Sequence, residues 1–536
     1  MSPAHDHLLV LDAHFFLALP TVLLDDVAVL LGTVIFIASL LVRYFNSPWR
    51  RLPPGPSGYP LIGNALELRE KQWLTFTRWR ETYGDVVYFH IFGQPAVVLN
   101  SQKAASDLLE RRATIYSDRV RNIVGADVMC GGLVLLFQNY TPFWRRLRKA
   151  AHEGLTSNGV KNHLQQTQRR EALMLSLSCL QENNDWQHHV RRTTTSAVMT
   201  TLYNTPPMVS RENPYTKTLD AIDALVARFD HSTMPRPYLV EVFPWMKHIP
   251  SRFARWKREA EEWFRRDSAI LEALFNEAKA DDHLSVSATL LDNSLRNGLS
   301  VRENSWLAGT LYVAGVDTTS AALSWAMQAL LTYPETQQQA QAELDCVVGR
   351  LRVPTFADIP RLPYLRAMVR ELLRWRPVSP VGLPHLSTQD DWYEGMFIPA
   401  RTICIANVWG MNHDPAVYGA DAEHFNPARF LDANGELVPP APETKGDGHS
   451  AFGFGRRICP GKQVANDSLM ITLAVMMWAC TIERRKDVRG DLTPIDLDGC
   501  DLRGVAICPI PFQCKITPRF PEASLLLEQE RELHVT

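Results

Sequence analysis

The spacing of apolar positions changes along the chain, and each change marks a different kind of segment. Val27 to Val42 reads VAVLLGTVIFIASLLV, a run with no charge. As a helix it would span roughly 24 Å, against a hydrocarbon core of about 30 Å. Asp25 and Asp26 precede it, and Arg43, Arg50 and Arg51 follow it. A cleaved leader carries its basic residues before the apolar run, so the flanks favour a single anchor over residues 27–43 with its basic side cytosolic. Leu52-Pro53-Pro54-Gly55-Pro56-Ser57-Gly58-Tyr59-Pro60 then reads as a stiff, non-helical stalk within a hinge at 44–64.

Beyond the stalk the pattern predicts elements of both kinds. Residues 86–99 alternate as two β-rich runs broken at Gly93-Gln94-Pro95, a hairpin. After that a helical spacing dominates. Ser300-Val301-Arg302-Glu303 is a capping box that opens a long helix to about Tyr333. Pro334 starts a second, ending near Gly349, and Pro363 a third, ending at Arg376 before Pro377. Short β patterns return over 380–410, and 521–536 reads as a peripheral helix or frayed tail. The prediction is a mainly α fold with small β-sheets, in one compact unit over 65–520, behind one N-terminal transmembrane helix.

Composition narrows the chemistry. Fifty-six basic and 58 acidic residues leave a formal charge of −2, so no global basic field argues for nucleic acid. The nine cysteines form no C-x-x-C pair, which suits neither a zinc ribbon nor a disulfide-stapled module. Most read as small buried apolar residues. Cys459 is different, because it lies in Phe452-Gly453-Phe454-Gly455-Arg456-Arg457-Ile458-Cys459-Pro460-Gly461. Here Gly455 supplies a turn conformation that other residues resist, and Gly461 lets backbone approach the sulfur. A helix expected from about Val464 would aim its N–H groups at a Cys459 thiolate, with Phe452 keeping water off the sulfur.

Other patterns accompany this loop. Glu371-Leu372-Leu373-Arg374 puts an acid and a base on one helix face, some fifty residues before Phe425-Asn426-Pro427-Ala428-Arg429-Phe430. Trp144 and Arg148 lie one turn apart, and His385 follows Pro384. Inside the long helix lies Ala314-Gly315-Val316-Asp317-Thr318-Thr319. There Thr318 can bond the Ala314 carbonyl, Asp317 can feed protons, and Gly315 can leave open space beside the helix.

Together these motifs resemble the cytochrome P450 family, over roughly residues 50–520. The Pro-Pro-Gly-Pro stalk behind one anchor resembles its microsomal members, and the Pro-His segment and the 511–514 tail resemble fungal ones. The resemblance implies heme b with Cys459 as the thiolate ligand of the iron, and Arg457, Trp144, Arg148 and His385 on the haem carboxylates. It implies a structural Glu371–Arg374–Arg429 cluster, with Ala428 standing where many relatives carry an acid. It also implies Thr318 and Asp317 as proton-handling residues. The partners implied are NADPH–cytochrome P450 reductase, the endoplasmic reticulum membrane, and a lipophilic small molecule. Residues 1–26 would then be lumenal and the catalytic domain cytosolic.

The same topology places substrate contacts at 124–130, at Leu311, Val313 and Ala314, at Val378 to Leu383, and at Gly504 to Ile507. These are overwhelmingly apolar, which points to a terpenoid, steroid or polycyclic aromatic substrate in secondary metabolism or xenobiotic oxidation. Two alternatives stay open: a haem-thiolate isomerase or dehydratase that does not use O2, and a non-catalytic membrane haem protein. Asp317 and Thr318 weigh against both. Arg145, Arg146, Lys149, Arg456 and Lys462 form a candidate basic face for an acidic reductase, and 205–250, with Val242-Phe243-Pro244-Trp245-Met246, a candidate membrane-dipping segment.

Overall fold

Helix dominates, and the helices begin and end where the sequence supplies caps and prolines. The computed structural model describes residues 14–68, 71–182, 185–208, 214–233, 238–278, 284–444, 446–503 and 506–535. The longer helices are α1 (His14–Asn46), α2 (Gln72–Tyr83), α3 (Pro142–Thr156), α4 (Asn158–Gln181), α5 (Trp186–Tyr203) and α6 (Thr216–Thr233). They continue with α7 (Arg255–Glu277), α8 (Val301–Thr332), α9 (Pro334–Val347), α10 (Pro363–Trp375), α11 (Lys462–Ala479) and α12 (Ala523–Val535). The expected capping box opens α8: Ser300 Oγ accepts from Glu303 N–H, and the Glu303 carboxylate accepts from Ser300 N–H at 2.6 Å. Pro334 and Pro363 occupy first-turn positions of α9 and α10, where a missing N–H costs nothing.

Strands are few and short. β1 (Val86–Ile91) and β2 (Gln94–Leu99) are the expected hairpin. With β3 (Asp118–Arg119), β4 (His385–Leu386) and β7 (Ile403–Ala406) they form a sheet in the order β1-β2-β7-β4-β3. Its register sets Arg119 opposite His385, joining residues far apart in sequence. The remaining strands pair in twos: β5 (Asp391–Tyr393) with β6 (Met396–Ile398), β8 (Cys480–Arg484) with β11 (Cys514–Pro518), and β9 (Cys500–Arg503) with β10 (Ala506–Pro509).

Two compact units result. One comprises residues up to Pro53 together with Asp390–Pro399, and the other Pro54–Gln389 with Ala400–Thr536. The division at Pro53 lies within residues 44–64, and the β5–β6 hairpin belongs to the first unit. In the first unit α1 is longer than the apolar run that predicts it, and its described side chains from Val29 to Phe45 are exposed. In the second, two large apolar clusters share α8. Trp306, Leu307, Tyr312 and Val316 pack with α3, α7 and the 123–135 segment. Leu323, Trp325, Met327 and Leu330 pack with α4, α9, α10 and α11. Between the two sets, Asp317, Thr318, Thr319 and Ser320 are only half-buried, so the motif occupies a gap in the core. The C-terminal tail is helical, and α12 is docked through the buried Leu527.

A fully buried carboxylate ties α10 to the loops that follow. Glu371 meets Arg374 at 2.6 and 2.8 Å and Arg429 at 3.1 Å, and accepts the Asn426 N–H at 2.7 Å. Arg374 spends its other N–H groups on the carbonyls of Asn412, Ala422 and His424. Arg429 also holds Asp421 and donates to the Tyr418 carbonyl. Alanine at 428 leaves this cluster complete. Glu371→Ala would strand the buried Arg374 guanidinium, while Arg429 keeps Asp421, at a cost of about 3–5 kcal/mol. The expected outcome is low yield and a urea midpoint far below wild type. A well-folded variant with an unchanged midpoint would show that the cluster is dispensable.

Candidate active site

The cysteine loop is held open by backbone that only glycine tolerates. Gly455 has φ +57°, and a Cβ there would lie 2.1 Å from the Leu109 carbonyl oxygen. Cys459 N–H closes the loop on Phe452 O at 2.9 Å, and Arg148 donates to Ile458 O at 2.5 Å. α11 starts at Lys462, two residues before the expected Val464, and a Cβ on Gly461 would sit 4.0 Å from Cys459 Sγ. Burial pushes the Cys459 thiol up, while the Gly461 N–H, Arg148 and Lys462 pull it down. Desolvation is the largest of these effects, and the Gly461 N–H and the two cations oppose it.

Beside the loop three guanidiniums gather, with Asp118 the acid that acts on Arg457. Arg457 donates to the carbonyls of Ser117, at 2.8 Å, and Gln138, at 2.5 Å, and stacks 4.2 Å from the Trp144 ring. Arg119, nearly buried, donates to the carbonyls of Leu136, Leu383 and Pro384. Burial, aided by the Arg457 charge, pulls Arg119 down to about 9; burial brings Arg457 to about 10 and also lowers Arg148. Among the described residues none of the three forms an ion pair, an arrangement a bound anionic group would relieve.

His385 is buried and donates from Nδ1 to Tyr116 O at 2.6 Å; burial first, then Arg119, holds its imidazole well below the usual range. A second donor at Nε2 would need the imidazolium, which a carboxylate beside it would favour. The Trp144 indole N–H is already taken by Leu135 O at 3.2 Å, so Trp144 serves here as the platform under Arg457. Arg119 was not singled out by sequence reasoning. Its signal is the β3–β4 register, which no linear pattern displays.

The α8 motif faces an apolar cavity. Thr318 Oγ1 donates to Ala314 O at 2.7 Å, and the helix runs on unbroken. Ala314 and Asp317 line the cavity with Cys130, Phe137, Leu271, Trp306 and Val313, among others. A Cβ on Gly315 would meet Val198 of α5 at 3.1 Å, so this glycine permits close helix packing and does not face the cavity. Ile222, Leu225, Val226 and Phe229 of α6 form the largest part of the lining that the sequence reading missed. Their i, i+3, i+4, i+7 spacing was the available signal. Of the expected contacts, Cys130, Val313 and Ala314 are present, while Gly504 and Val505 lie outside the described residues.

A glycine-held cysteine loop, unmatched guanidiniums and an acid–alcohol pair over an apolar cavity are the features of a haem-thiolate oxygenase, and the residues present fit that group. Comparison with known proteins makes the assignment specific. A sequence model of the Cytochrome P450 family matches residues 53–495. A cytochrome P450 monooxygenase of Armillaria gallica is 55% identical over 94% of this chain and 97% of its own. Another, from Postia placenta, is 42% identical over 93% and 95%, and one from Amanita muscaria 38% over 90% and 94%. A zebrafish cytochrome P450 solved with abiraterone shares the fold, with TM-score 0.65 at 23% identity over 84% of this chain and 100% of that one. The chain belongs to the cytochrome P450 family and is a monooxygenase of the fungal type.

Gly455→Ala tests the loop directly. It forces an L-residue into left-handed backbone against a carbonyl, a strain of about 1–3 kcal/mol. Expected are a lower unfolding midpoint and reduced haem retention, measured by pyridine haemochrome. Full retention with wild-type stability would show that the loop can move aside.

Proposed function

We propose that Cys459 would be the thiolate ligand of heme b, that Arg119, Arg148 and Arg457, with His385, would receive its carboxylates while Trp144 braces Arg457, and that Asp317 and Thr318 handle protons. The observation that carries this reading is the cavity, which ends on Ala314 and Asp317 and is apolar over most of its lining. When bound, haem would supply the iron that activates dioxygen. The chain supplies the rest. Aliphatic and aromatic side chains desolvate a lipophilic substrate, with no basic residue among them to hold a carboxylate. Thr318 is fixed by its bond to Ala314 O, and Asp317 stands one residue away with a carboxylate able to pass a proton. One oxygen atom of O2 enters a C–H bond of a terpenoid, steroid or polycyclic aromatic compound. The apolar lining suits a role in secondary metabolism or xenobiotic oxidation.

Electrons would come from NADPH through an acidic flavoprotein reductase. Arg145, Arg146, Lys149 and Arg456 are exposed and could meet it, whereas Lys462 is committed to Asp447 at 2.6 Å. Such rim charges govern encounter rate and its salt dependence more than chemistry. Cys459→Ser should abolish the thiolate Soret band of the reduced carbon monoxide complex, and Thr318→Ala should keep haem while diverting reducing equivalents to peroxide. Retention of the band in Cys459→Ser would reject the ligand assignment, and unchanged coupling in Thr318→Ala would remove that residue from the proton path.

Attachment to a membrane is supported by α1, and the basic flank of Arg43, Arg50 and Arg51 favours a cytosolic catalytic domain, which we read as lying at the endoplasmic reticulum. The segment Val29–Arg51 is apolar and long enough to cross a bilayer, and its side chains are unburied. Leu239, Val242, Phe243, Trp245 and Phe253 add an exposed apolar patch beside Lys247 and Arg252, suited to a headgroup boundary. Deleting residues 1–45 should leave the haem spectrum intact and convert carbonate-resistant attachment into salt- and carbonate-sensitive binding. Carbonate-resistant recovery of the truncated protein would defeat the single-anchor reading.

A further inference from the structure

Arg191 of α5 carries one charge and holds two carboxylates on two other helices. Its guanidinium meets Asp317 of α8 at 2.7 Å and Asp223 of α6 at 3.1 Å. The two contacts differ in shielding. The Asp317 side chain is 14% exposed and that of Asp223 is 53% exposed, so the second is the easier to break. Asp223 follows Ile222, which with Leu225, Val226 and Phe229 lines the substrate cavity from α6. The seat of α6 therefore sets how Arg191 divides its charge. Behind Arg191 a second cavity, lined by His188, Ser320 and Ser324, opens beside the same α5–α8 contact.

We propose that Arg191 is a positioning residue that couples the helix lining the substrate cavity to the acid Asp317. With α6 seated, Asp223 draws part of the guanidinium charge and leaves the Asp317 carboxylate freer to exchange protons. With α6 displaced, Arg191 falls wholly to Asp317 and holds it. Occupancy of the cavity thus adjusts how readily Asp317 works. The proposal rests on the reading of Asp317 as the proton-handling acid.

The test uses the full-length, haem-loaded protein with its reductase and NADPH, without added substrate. It reads NADPH oxidation, the fraction of electrons leaving as peroxide, and the solvent deuterium isotope effect. Asp223→Asn should slow NADPH oxidation by about two- to fivefold, the range of a half-exposed ion pair, and enlarge the isotope effect. In an Arg191→Gln background the same substitution should do nothing further, since the shared partner is gone. Hydrogen exchange of residues 216–233, which needs no turnover, should rise in Asp223→Asn and Arg191→Gln and return toward wild type in Arg191→Lys. If Arg191→Gln loads haem poorly, Arg191→Lys and Asp223→Asn carry the comparison. An equal effect of Asp223→Asn with and without Arg191, or exchange unaltered in both variants, would overturn the coupling. If Asp317→Asn leaves the isotope effect and peroxide fraction unchanged, the reading of Asp317 fails and the coupling with it. If Asp317→Asn alters them while Asp223→Asn does not, only the coupling fails.

Discussion

The carboxylate of Glu371, wholly removed from water, is the constraint on which the cysteine side of the molecule depends. A buried carboxylate is tolerable only when cations and N–H groups surround it, and the sequence supplies these from three places: Arg374, Arg429 and the Asn426 backbone. The order then propagates outward. Arg374 fixes the Asn412 carbonyl, and the Asn412 side chain accepts the Ser450 N–H at 2.9 Å. Arg429 holds the Tyr418 carbonyl, and the Tyr418 hydroxyl donates to Gly448 O at 2.9 Å. Ser450 and Gly448 are the approach to the loop that ends at Cys459. The position of the sulfur is thus inherited from a polar cluster far from it in sequence.

Charge balance gives the site its second character. The whole chain is nearly neutral, yet Arg119, Arg148 and Arg457 gather where none of them forms an ion pair among the described residues, although Asp118 acts on Arg457. Carbonyl oxygens satisfy many of their N–H groups but do not neutralise the charge. A dianionic group bound against them would recover much of the desolvation cost of all three. The same logic separates His385 from the arginines. Its second ring proton, at Nε2, is opposed by burial and by Arg119 and favoured only when a carboxylate lies beside it.

What could be read from the sequence follows from whether the relevant contacts are local. The α8 capping box, the proline starts of α9 and α10, the β1–β2 hairpin and the glycine-held cysteine loop are set by residues within a few positions of one another, and all were legible. Arg119 escaped because its place is set by pairing with His385 across a sheet. The α6 lining escaped although its apolar spacing was visible, because the spacing tells which face is buried and not against what. Gly315 was read as leaving open space beside the helix, yet a glycine in a helix is silent about which neighbour demands its smallness. Arg191 lies in a run of arginine and threonine residues that gives no hint of two distant acids.

One consequence of the shared helix concerns how such a protein can change. α8 passes from one apolar cluster to the other at Asp317 to Ser320, so volume altered among Trp306, Val313 or the facing α6 residues is absorbed mainly within one cluster. The cluster that anchors Glu371 and α11 lies on the other side of that break. Substitutions in separate clusters combine nearly additively, and apolar interiors accept repacking when total volume is kept. The chemistry of oxygen can therefore stay fixed while the shape of the accepted molecule drifts, and a lineage built on this frame can acquire new substrates without rebuilding its catalyst.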